Sequence, residues 1–232
     1  MMGAVMHFQR TLNLGSGGRT PDYLAVFIGG FGDVMLGCLS RLEAAFPGFL
    51  PGAAHATAYY HWDGGGLGVF RDRCDRIAED LERMRRELPD VPMVLIGHSY
   101  GGSCAVEVAR RQAAQHHVPE SQAPCPAPLC LLTIDAVARR QKNSRPESVD
   151  WWGNSYLGEG GGFMDAVPRM GGRWGHCSGA DVNLSFSGFR EDRAGHPYCH
   201  RRPGPMLYES PSEEERSLYE EAAFWLRGAL GR

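Results

Sequence analysis

The sequence predicts one α/β domain, a mainly parallel central sheet with helices on both faces. Three observations carry that reading. Short apolar runs stop abruptly at glycines, as strands buried on both faces do. Between these runs lie stretches whose apolar residues recur at helical spacing. The two kinds of segment alternate along the chain, with no internal repeat and no second core. At 232 residues there is room for one large domain or two small ones, and 1–232 reads as one.

Composition narrows the class further. Hydrophobic residues are 43% and charged residues 22%, which excludes global disorder. A net charge of -3 argues against nucleic acid as a partner. No apolar run approaches the ~20 residues of a membrane span, and Met1 to Arg10 lacks a secretory pattern. The 7 cysteines include no CxxC pair, so reduced thiols and a cytoplasmic location are the expectation.

The elements follow in order. Residues 1–22, with Gly15-Ser16-Gly17-Gly18 and Pro21, read as a loose entry segment. Tyr23 to Ile28 is the first strand, ending at Gly29-Gly30-Phe31-Gly32. Asp33 opens a helix carrying Val34, Leu36, Leu39, Leu42 and Phe46, closed by Pro47-Gly48. Ala56 to Trp62 is a strand ending at Asp63, and 71–88 is an amphipathic helix stopped by Pro89. Met93 to Ile96 is a strand that turns through Gly97-His98-Ser99-Tyr100-Gly101 into a helix with Ala105, Val108 and Ala109. A Pro/Ala-rich linker around 118–128 precedes the strand Leu129 to Ile134, which ends at Asp135. Residues 136–180 hold Trp151, Trp152, Trp174 and many glycines without a clear period, and are expected to wall or cover a substrate. Val182 to Phe186 is the last strand, followed by the polar loop 187–209. A C-terminal helix is expected from Ser210-Pro211, with Ser210 and Glu213 at capping-box spacing.

Right-handed crossovers bring the C-terminal ends of all these strands to one edge, where such sheets bind ligands. Gly97-His98-Ser99-Tyr100-Gly101 lies on that edge and has the G-x-S-x-G spacing of a nucleophile elbow. Small residues two positions either side let the backbone turn sharply and lift the serine hydroxyl clear of the sheet. The plain alternative is a Gly-rich turn with an incidental serine, but the strand before and helix after favour a nucleophile. A nucleophilic serine needs a base, and the base a carboxylate to orient it. Asp135 ends the strand after the serine's own strand and helix, so it belongs on the same edge. Asp63 ends another strand and competes with it, whereas Asp181 precedes its strand and lies at the wrong edge. The same test removes His176. His196 and His200 both follow the last strand, and His196 is preferred because its path back from Phe186 is shorter. His98 is expected to pack or orient the turn.

The order Ser99, Asp135, His196 resembles that of the small α/β hydrolases of the serine lipase/esterase/thioesterase superfamily. The resemblance spans roughly 22–230 and rests on Ile96 to Gly102, the glycine turn after the first strand, and Thr133-Ile134-Asp135-Ala136-Val137. The last is similar to the segment that places the acid in pancreatic-type lipases, with Ala136 where those have proline. Gly29-Gly30 stands where the family has His-Gly. The resemblance implies an α/β-hydrolase fold and an ester or thioester substrate, and the aromatics of 136–180 point to an apolar acyl or aryl group on it. The resemblance also implies an oxyanion site made by the backbone N–H groups of Phe31 and Tyr100. No cofactor is expected. A metal is not expected either, because His176-Cys177 and His196-x-x-Cys199-His200 match no familiar zinc spacing. The other readings are a non-catalytic binding protein on this fold and an acyltransferase using the same residues.

Overall fold

A single sheet of 7 strands organises the computed structural model, which describes residues 13–14, 20–31, 33–62, 74–115, 127–160 and 165–232. In chain order the strands are β1 (Asn13–Leu14), β2 (Tyr23–Gly29), β3 (His55–His61), β4 (Met93–His98), β5 (Leu129–Ile134), β6 (Trp151–Glu159) and β7 (Val182–Ser187). Across the sheet they run β1-β3-β2-β4-β5-β6-β7, parallel throughout except for β1 against β3. The helices are α1 (Asp33–Leu36), α2 (Ser40–Ala44), α3 (Cys74–Glu87), α4 (Tyr100–Gln115), α5 (Ala166–Gly171), α6 (Pro203–Tyr208) and α7 (Leu218–Ala229). Strand order and crossovers give the α/β-hydrolase fold.

Alternation along each strand divides the core in two. Leu24, Val26 and Ile28 pack with Ile77 and Leu81 of α3 and Val108 of α4 on one face. Tyr23, Ala25 and Phe27 pack with Phe46, Phe49 and the α7 residues Leu218, Ala222 and Leu226 on the other. Each large apolar side chain fully buried this way contributes about 1.5–3 kcal/mol. The sheet is thereby held rigid from both sides, which fixes the strand ends that carry polar residues.

Four sequence expectations need correction. Residues 136–180, expected to wall or cover a substrate, contribute a strand of the sheet, Trp151–Glu159, between β5 and β7. Its pattern is hard to read because buried positions carry Gly153, Asn154 and Ser155 rather than large apolar residues. Gly153 makes room for Leu218 of α7, and Asn154 accepts from Thr133 Oγ1 at 2.9 Å while donating to Asn183 Oδ1 at 2.9 Å. The first expected helix is two short ones, broken at Gly37, whose φ is +64. The C-terminal helix starts at Leu218, with the capping box formed by Ser217 and Glu220. Ser210 has the same spacing, but only Ser217 is followed at once by residues that can be buried. Within the entry segment, Asn13–Leu14 adds the antiparallel edge strand. Asp63 lies outside the described residues.

Candidate active site

β4 ends at His98, and the chain reverses into α4 through Ser99. Ser99 has φ 58, a left-handed conformation costly for a residue with a β-carbon. The turn is forced by close packing. A β-carbon at Gly101 would overlap the Ile28 carbonyl, and one at Gly30 would lie 2.6 Å from Ser99 Cβ and 2.8 Å from the Tyr100 nitrogen. The glycines therefore let the turn after β2 press directly against the serine turn. Tyr100 is the first residue of α4, so its amide has no partner within the helix. Gly30 brings the neighbouring Phe31 segment to the same place.

Asp135 follows β5 and is also left-handed, with φ 41. It is fully buried, and its Oδ2 accepts from His200 Nδ1 at 2.6 Å. His200 Nε2 lies 2.9 Å from Ser99 Oγ. The Nδ1 hydrogen is thus committed to Asp135, leaving Nε2 to accept the serine proton. Burial alone would raise the Asp135 carboxyl, but the His200 hydrogen bond and charge, Arg173 and the Leu157 amide together lower it.

The base position expected of His196 is held by His200. Residues 191–197 close a tight turn, in which the Asp192 amide donates to the His196 carbonyl at 2.8 Å and Glu191 bridges Pro197. His196 consequently faces outward with its side chain 63% exposed, 3.7 Å from Asp192. The shorter path is consumed by that turn, and the chain comes back over Ser99 only at 200. Two contacts fix it there. The His200 amide donates to Asp165 Oδ1 at 3.2 Å, and His98 Nε2 donates to the His200 carbonyl at 2.8 Å. The rings of His98 and His200 lie 4.7 Å apart. Burial, reinforced by His200, lowers His98 to about 4, so it stays neutral.

Two residues at the site give no signal in the sequence. Arg173, beside the strand end through its bridge to Val137, places Nε 3.1 Å from Asp135 Oδ1 and an Nη 3.3 Å from Asp165 Oδ1. Asp165 opens the turn into α5 and is fully buried. Both lie in the aperiodic stretch, where nothing in residue spacing marks them. Among the described residues no three His, Cys, Asp or Glu side chains converge as a metal site. No helix among them is long and apolar enough to cross a membrane.

No family model and no curated protein matches the chain. Among solved structures it is similar to the NocB thioesterase domain in covalent complex with a fluorophosphonate nocardicin G analogue, at 14% identity, 90% and 95% coverage of the two chains, and TM-score 0.40. It is also similar to a putative cell surface hydrolase from Lactobacillus plantarum WCFS1, at 9% identity, 73% and 82% coverage, and TM-score 0.39. RedJ, solved with a PEG molecule in its active site, aligns at 15% identity, 88% and 94% coverage, and TM-score 0.36.

Proposed function

We propose that the chain is a serine hydrolase of the α/β-hydrolase superfamily, cleaving a carboxylic ester or thioester through an acyl-enzyme. The observation that carries this reading is the hydrogen-bond chain from Ser99 through His200 to Asp135, built on a strained serine turn. Ser99 Oγ attacks the carbonyl carbon while His200 Nε2 takes its proton. Asp135 stabilises the imidazolium. The amides of Phe31 and Tyr100 donate to the oxyanion, aided by the N-terminus of the 16-residue α4. The intermediate collapses as His200 returns the proton to the leaving group. Water, deprotonated by the same imidazole, then releases the acyl group from Ser99. No step calls on a cofactor.

An apolar substrate is supported by what stands at this edge of the sheet. Phe31, Leu36, Met170 and Phe189 all follow strand C-terminal ends and are exposed. The α5 part of the 136–180 stretch abuts the nucleophile turn, since a β-carbon at Gly171 would lie 2.6 Å from the Tyr100 hydroxyl. That part forms the substrate wall in this reading.

A fluorophosphonate probe tests the proposal. The wild type should acquire one phosphonate on Ser99, located by peptide mass, and should hydrolyse short p-nitrophenyl esters. A protein that neither labels at Ser99 nor turns over esters or thioesters would leave a binding protein on this fold. Product analysis with added alcohols or amines separates hydrolysis from acyl transfer.

A further inference from the structure

The Ser99–His200–Asp135 chain does not end at Asp135. Arg173, its side chain 10% exposed, faces the oxygen of Asp135 that His200 does not use and also faces Asp165. Asp165 in turn holds the His200 amide, while its Oδ2 is buried without a hydrogen-bond partner among the described residues. A carboxylate so buried is costly unless its charge is used.

The charge count shows the use. With a neutral imidazole, Asp135, Asp165 and Arg173 carry one net negative charge; with the imidazolium, the group is neutral. Arg173 beside Asp135 alone would cancel the charge that must stabilise the imidazolium. We propose that Asp165 and Arg173 are positioning residues for the base: Asp165 clamps the His200 main chain and offsets Arg173, so that Asp135 retains its charge for the imidazolium. This rests on the hydrolase reading above. The other groups facing His200 are Ser99 and His98 from the end of β4, with Asp33 of α1 acting through His98. On its own segment lie Cys199, Arg201 and Arg202, and Arg202 is paired with Asp192 at 2.7 Å.

Two opposed variants separate this role from mere packing. Asp165→Asn keeps the volume and an acceptor for the His200 amide but removes the charge. It should move the proton-titration midpoint of the His200 ring, followed by NMR, to lower pH. Arg173→Gln should move it to higher pH, each by about one unit. The acid limb of the pH profile for fluorophosphonate labelling should shift in the same two directions. Unmoved midpoints, or shifts of the same sign in both folded variants, would overturn the proposal. Should a single variant fail to fold, Asp165→Ala/Arg173→Met removes both charges together. That pair should keep the wild-type midpoint but label between about ten- and a hundredfold more slowly, because the main-chain clamp is gone. Wild-type labelling by the pair would overturn the clamp. The ring titration needs no substrate, so a wild type that never labels defeats the hydrolase reading while the NMR result still decides the charge balance.

Discussion

Ser99 sits on a turn whose shape is imposed by backbone packing, whereas His200 hangs on a loop that takes its shape from side chains of other segments. At the serine, β4, α4 and the turn after β2 press together so closely that glycines are needed at contact points. At the histidine there is no regular element. His98 holds its carbonyl, Asp165 its amide and Asp135 its ring. A side chain carried by strand ends inherits the stiffness of the sheet, while one carried by a loop must be tied by individual polar contacts. The first kind of support fails by steric intrusion and the second by loss of one partner.

Substitutions in both regions can break or sharpen this contrast. The largest effect is expected at the serine itself: Ser99→Ala should fold as the wild type but lose turnover by at least about 10⁴-fold. Ester hydrolysis near the wild-type rate would remove the serine from the mechanism. Next comes the base, where His200→Ala should cost about 10⁴-fold and Asp135→Asn a similar amount, with His196→Ala within about twofold of wild type. A large loss in His196→Ala and a small one in His200→Ala would require the loop to rearrange in solution. Gly30→Ala probes steric support, because its methyl group would push on Ser99 Cβ and the Tyr100 amide. A loss of about 10²-fold in kcat is expected, and unchanged kcat would mean that the turn yields easily.

The smallest effect is read as stability against pH. His98 titrates at about 4 in the folded chain against 6.5 for the free side chain. The unfolded chain therefore binds a proton that the native state refuses between those values. Stability is full above 6.5 and falls as the pH drops to about 4, by on the order of 3 kcal/mol. The lowered Asp135 adds a further loss once its own carboxyl protonates. His98→Gln keeps a donor for the His200 carbonyl but cannot titrate. Its urea-unfolding free energy should fall less than that of the wild type between pH 7 and 4.5, and parallel curves would contradict the assignment.

The same contrast explains what could be read in the sequence. Ser99 and Asp135 were legible because each ends an apolar strand, and strand ends of a parallel sheet share an edge. His200 was not separable from His196, because path length says nothing about a turn closed by Asp192, Gly195 and the Glu191–Pro197 bridge. Asp165 and Arg173 had no marker, since isolated contacts between loops leave no period. β6 was hidden because its interior is polar and small, satisfied by neighbours on β5 and β7 that no local pattern announces.

That polar interior has a mechanical consequence. Thr133, Asn154 and Asn183 link three adjacent strands side by side, and Trp152 Nε1 adds a bond to Thr133 at 3.0 Å. Slipping β6 by one residue would turn Trp152 and Asn154 to the opposite face and break all of these bonds at once. It would also displace the strand by ~3.3 Å, more than a hydrogen bond tolerates. β5 delivers Asp135, and β7 leads into the segment that delivers His200. The side-chain ladder across β5, β6 and β7 thus acts as a gauge block that sets the spacing of Asp135 and His200.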